Sequence, residues 1–132
     1  MQADFKYIKA SWGISIRISI AEQIVNEIAS PLDKEIVKIS ENFLLSFGDV
    51  HVTQGGRRYL RKAIEDNLHI LETVIRIQTI FTITSIEYAY SDYQDEGMYC
   101  VMINWLNNRF GLNIKLPEIS FNSITNKYYF QF

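Results

Sequence analysis

Near its start the chain alternates. Trp12, Ile14, Ile16, Ile18 and Ile20 take every second place, with Ser11, Gly13, Ser15, Arg17 and Ser19 between them. Period two with one apolar face predicts a half-buried strand. Phe5 to Lys9 extends it or pairs beside it. The period then changes. Ala21 to Ala29 carries Ile24, Val25 and Ile28 at helical spacing and has to stop near Ser30, because Pro31 disfavours α geometry in the residue before it. A second helix is expected from Ser30 as cap and Pro31 as first helical residue, with Asp33 in its first turn. Leu32, Ile36, Ile39, Phe43 and Phe47 form its stripe, and Gly48 ends it.

Val50 and Val52 alternate with Asp49, His51 and Thr53, which predicts a short strand running into Gln54-Gly55-Gly56. A long helix follows over about Arg57 to Val74, with Leu60, Ile64, Leu68, Leu71 and Ile75 on one side. From Ile75 to Tyr90 the density of isoleucine and threonine, stiff at χ1, turns the pattern to β. Here Ile75, Ile77, Thr79, Phe81 and Ile83 share a face. Ser91 to Gln94 spells a capping box for a helix to about Arg109. Met98, Val101, Met102, Trp105 and Leu106 are its core side, and Gly111 closes it. Ile119–Phe121 and Lys127–Phe132 are read as two last strands around a polar turn at Asn122–Asn126.

The predicted order is β-α-α-β-α-β-α-β-β: an α+β fold with helices packed on one face of a mostly antiparallel sheet. An α/β arrangement with partly parallel strands is the second choice. The length of 132 residues, with no repeat, linker or composition break, fits one globular domain over residues 1–132. Hydrophobic residues at 48% supply its core.

Charge narrows the partners. Thirteen basic and fifteen acidic side chains leave a formal −2, without the basic excess that phosphate binding demands, so nucleic acid is disfavoured. No secretory signal is spelled at the N-terminus, and no apolar run approaches the roughly 18 residues of a membrane span. With the lone Cys100 this favours a cytoplasmic setting and excludes an internal disulfide framework.

Chemistry is sparsely spelled. His69 falls beside Glu65 and Glu72 on an outer helix face, a pattern that is ordinary for a surface salt bridge, and no second histidine stands at ligand spacing. No metal, cofactor or catalytic residue is therefore predicted, and an enzyme is not expected. Gly55, Gly56, Arg57 and Arg58 before a helix form a candidate anion or phosphate cradle, with His51 as a candidate contributor, and they are the centre of the alternative reading as a small enzyme or anion-binding module. Their spacing matches neither a P-loop nor a dinucleotide fingerprint.

The strongest candidate surface is 87–96. Glu87, Tyr88, Tyr90, Asp92, Tyr93, Asp95 and Glu96 supply four carboxylates and three phenols with no lysine or arginine among them. Tyrosine is enriched in binding hot spots, and clustered carboxylates steer a basic partner. A small acidic domain without catalytic spelling fits a non-enzymatic protein-binding role, most concretely an immunity or antitoxin-type inhibitor of a basic, toxin-like protein. The aromatic tail Lys127-Tyr128-Tyr129-Phe130-Gln131-Phe132 is a second candidate surface. It either pairs inside the sheet or forms an edge that recruits another strand, for instance in a homodimer.

Overall fold

The isoleucine alternation becomes the longest of the described strands. In a computed structural model that describes residues 1–9, 12–25, 36–89 and 93–132, β1 (Gln2–Lys9) and β2 (Trp12–Ile24) form an antiparallel hairpin. Ala3 and Phe5 of β1 point inward with Ile14, Ile16, Ile18 and Ile20 of β2, all buried. Gln2, Asp4, Lys6, Ser15 and Arg17 take the exposed face. Burying each isoleucine is worth about 1.5–3 kcal/mol, so this face alone anchors the sheet.

Two expected helices are strands. β2 runs on through Ala21 to Ile24 and pairs with Thr82 to Thr79, where a helix over Ala21–Ala29 was expected; the rest of that stretch lies outside the described residues. Ser30, Pro31, Leu32 and Asp33, the start of the second expected helix, lie outside them too. Its later part forms β3 (Ile36–Lys38) and β4 (Phe43–Ser46), an antiparallel pair. Phe43 and Leu45 are buried, and the Phe43 ring stacks on Phe81 at 4.1 Å. Phe43 and Phe47, four residues apart, fit both periods. The strand prevails because a parallel partner, distant in sequence, stands open beside Phe43–Ser46.

That partner is β5 (Thr79–Tyr88), the middle strand of a sheet ordered β1-β2-β5-β4-β3. Among the described strand pairs only β4–β5 is parallel. Ser19 faces Ser85 while Ile20 faces Ile83, so Thr84 is an extra residue, a bulge. Its hydroxyl donates to the Ser19 carbonyl at 3.1 Å. The shared face expected from Ile75 begins at Thr79, because Ile77 is 56% exposed.

No strand forms at Val50–Val52; this extended stretch leads into α1 (Gln54–Glu65). α1 opens three residues before the expected Arg57, so Gly55 and Gly56 lie inside its first turn. Thr53 caps it, its Oγ1 accepting from Gly56 N–H at 2.9 Å. The expected continuation to Val74 breaks at Asp66–Asn67. There the buried Asn67 amide donates to the Ala63 carbonyl at 2.7 Å, and α2 (Leu68–Val74) starts afresh.

α3 (Gly97–Phe110) packs on β1, β2 and α1. Every residue from Gly97 to Ile103 is buried, as are Trp105 and Leu106. A Cβ on Gly97 would lie 2.7 Å from Ile16 Cδ1 and 3.1 Å from Ile14 Cγ2, so any larger residue would push these side chains aside where the helix start meets the sheet. The expected cap, Ser91, lies outside the described residues; the helix starts at Gly97 with Glu96 as its cap residue, without a side-chain bond. Gly111, left-handed at φ 65°, ends the helix as predicted. The chain closes with β6 (Glu118–Asn122) and β7 (Lys127–Gln131), a separate antiparallel hairpin turning at Asn126.

The α+β class and the mostly antiparallel sheet therefore stand, and the element order follows the prediction roughly. One hydrophobic cluster joins the five-stranded sheet, α1 and α3, and reaches Tyr128 in the hairpin. None of the three described helices is long and apolar enough to cross a membrane.

Candidate functional site

The expected acidic segment does not stay together. Glu87 stands exposed on the outer sheet face, opposite Arg17 across the β2–β5 pair. Arg17 is already bonded to Asp4 at 2.7 Å. That hydrogen bond, more than the field of Glu87, raises the arginine's pKa, and the same bond holds Asp4 below its ordinary range. Tyr88 points to the other face and packs its ring on Tyr93, with centroids 4.4 Å apart. Tyr90 and Asp92 lie outside the described residues.

Asp95 is a structural pin. Its Oδ1 accepts from Tyr93 Oη at 2.6 Å and from Thr53 Oγ1 at 2.8 Å, tying the 93–96 turn to the cap of α1. Its Oδ2 lies only 2.0 Å from where a Cβ on Gly55 would sit, and Tyr93 Oη is 3.1 Å from the same position on Gly56. Gly55 of the candidate anion cradle thus makes room for an internal anion, while a Cβ on Gly56 would crowd Thr53 Oγ1 and Val52 Cγ1, each at 3.0 Å. The place beside Gly55 where a phosphate would approach holds the Asp95 carboxylate, at the positive end of α1. Burial, and then the bond to Asp95, push the Tyr93 phenol far above its ordinary range. Arg57 lies with its guanidinium over the Phe47 ring at 4.5 Å and Arg58 over Tyr59 at 5.3 Å, while His51 is exposed.

Gln94 does what no local pattern announces. Its Oε1 accepts from the Tyr128 backbone N–H at 2.7 Å, and its Nε2 donates to the Tyr128 carbonyl at 2.9 Å. The side-chain amide thus pairs with β7 as a neighbouring strand would. The same Nε2 lies 2.8 Å from Glu96 Oε2.

Between this turn, α1 and β7 runs an open groove of about 730 Å³. Tyr93, Asp95 and Glu96 line it from one side, Lys127 to Phe130 and Phe132 from the other, and Tyr59 from α1. The two surfaces expected separately from the sequence, 87–96 and the aromatic tail, meet here through their inner members. Phe132 forms the floor, 5.4 Å from the Tyr59 ring and 4.7 Å from Tyr99. Lys62 reaches over Phe132 and Tyr99 and pairs with Asp66 at 3.0 Å. The Tyr99 hydroxyl donates to the same Asp66 carboxylate. Burial, with that bond second, pushes the Tyr99 phenol up to about 12. Tyr129 stays 46% exposed, its hydroxyl 3.1 Å from Thr125 Oγ1.

Sequence reasoning missed Tyr59, Gln94 and Asn126 as lining residues. Tyr59 is hidden among helix-surface residues, and Gln94 was read as a cap. Cys100 is buried, and burial raises its thiol to about 12. His69 is exposed, and its neighbour Glu65 pairs with Arg61 at 3.0 Å. Among the described residues no group of three or more His, Cys, Asp or Glu is placed to hold a metal ion. Comparison with protein-family models, with curated proteins and with solved structures finds no match to this chain.

Proposed function

We propose that this chain is a non-enzymatic protein-binding domain. In this reading it receives a basic partner in the groove between β7 and the 93–96 turn. Its most concrete form is an inhibitor of the immunity or antitoxin type. One observation carries the reading: two aromatic segments more than thirty residues apart converge on one open groove. Four tyrosines and two phenylalanines line it, with two carboxylates against a single lysine. Tyrosine offers large contact area at low entropic cost. The carboxylate excess, in a chain of formal charge −2, favours a basic visitor.

The test compares the wild-type protein with Tyr129→Ala and Glu96→Lys, each immobilised and exposed to a lysate of the source organism at low salt. A basic protein held by the wild type is expected to bind Tyr129→Ala at least about tenfold more weakly. Its association with Glu96→Lys is expected to be slowed. An inhibitor further abolishes that protein's own activity at one-to-one stoichiometry. Equal retention by all three proteins sinks the reading.

A further inference from the structure

The β6–β7 hairpin leaves one side of β7 with its backbone turned into the groove. In an antiparallel ladder, opposite residues alternate between pairs that exchange hydrogen bonds and pairs that do not. Phe121 faces Tyr128, and Ile119 faces Phe130. Tyr128 gives its N–H and its carbonyl to Gln94, away from β6. On the far side of the hairpin, the Ile119 carbonyl accepts from Tyr7 Oη at 3.2 Å, pointing away from β7. At the turn, Asn126 N–H closes onto the Asn122 carbonyl at 2.8 Å, which suits Asn122 and Lys127 as a bonded pair. All three observations set the same phase. Phe130, two residues beyond Tyr128, therefore also directs its N–H and carbonyl toward the groove.

We propose that the partner enters this groove as an extended segment and adds a strand to β7, with Phe130 as its first free rung. The proposal rests on the docking reading above and specifies its partner as polypeptide backbone in β geometry. Gln94 is the sign on the molecule itself: an amide of this chain already sits on the adjacent rung, making both bonds a strand would make. The next rung lies about 7 Å further along, inside a groove whose volume suits a short peptide. Main-chain bonds hold such a segment, and its alternate side chains meet the aromatic floor and the carboxylate rim. Alternating apolar and basic residues fit both.

The probe is the capped hexapeptide Lys-Val-Lys-Val-Lys-Val, with an analogue methylated on all six backbone nitrogens as control. The hexapeptide is expected to bind, to slow exchange of the Phe130 amide about tenfold or more, and to outbind the methylated analogue about tenfold. Phe130→Pro, which removes the donor, is expected to bind about tenfold more weakly than Phe130→Ala, which keeps it. If Phe130→Pro fails to fold, Phe130 exchange in the wild type decides alone. Binding that leaves Phe130 exchange unchanged and ignores methylation overturns strand addition while the docking reading stands. No binding of the hexapeptide overturns strand addition as well, and the lysate comparison judges docking separately. A wild-type dimer in sedimentation, with Phe130 already protected, overturns it by showing a second copy on the edge.

Discussion

β1 and β7 both end a sheet, and they are finished in different ways. β1 lies against α3, and the Asp4 carbonyl, which points off the sheet, accepts from the Asn104 side chain at 2.9 Å. Asp4 and Lys6 stand along it, and charge on an edge discourages further pairing. β7 instead carries Tyr128, Tyr129 and Phe130, with Phe132 just beyond its end, and looks into an open groove. Its one side-chain amide closes a single rung. The contrast teaches how the two edges differ: β1 is held against α3, and β7 faces the open groove in which we propose that another chain docks.

The sharpest way to break the contrast is in the core. Ile16→Ala, beneath α3, is expected to cost about 2–5 kcal/mol in urea unfolding, whereas Tyr129→Ala on β7 is expected to stay within about 0.5 kcal/mol. Comparable losses would mean that the hairpin is as structural as the sheet. Next is Gln94→Ala. It strips Tyr128, 7% exposed, of two partners and is expected to cost about 1–3 kcal/mol, with faster exchange of the Tyr128 amide. Asn104→Ala, at the solvent-facing Asp4 carbonyl, is expected to cost less than half as much. Equal costs would erase the difference between the edges.

A smaller effect lies in pH. Tyr99 ionises near 10 when unfolded and near 12 when folded, so the unfolded chain gives up its proton first. Stability is therefore expected to fall as pH rises from about 10 to 12, and the fall is expected to be shallower in Tyr99→Phe. Matching slopes would refute the assignment. Smallest in energy is Cys100. With its thiol raised to about 12 and buried on the core side of α3, it is expected to stay unmodified by thiol reagents at pH 8 until the protein is unfolded.

What could be read from the chain was whatever repeats locally. The isoleucines of β2, the stop at Gly111 and the two closing strands follow from spacing alone. β3 and β4 could not be read in this way. Ile36, Phe43 and Phe47 satisfy a helix equally well, and the deciding partner, Thr79–Thr82, lies more than thirty residues downstream. The groove is harder still. Asp95 finds Thr53 across 42 residues and Gln94 finds Tyr128 across 34, through polar side chains that leave no periodic trace. The tyrosines and carboxylates of 87–96 were conspicuous as letters, but their division between two faces of β5 depends on register.

That division turns on Thr84. Up to Ile83 the odd-numbered residues of β5 face the interior; beyond the extra residue the even-numbered ones do, Ile86 opposite Ile18 and Tyr88 opposite Ile16. Were Thr84 instead to pair with Ser19 as a regular rung, every residue after it would slip by one place and change face. Glu87 would then be driven under α3, and Tyr88 would be cast out among Asp4 and Arg17, leaving Tyr93 without its stacking neighbour. A single unmatched position in the central strand thus acts as the switch that assigns the far end of β5 to the aromatic side of the molecule.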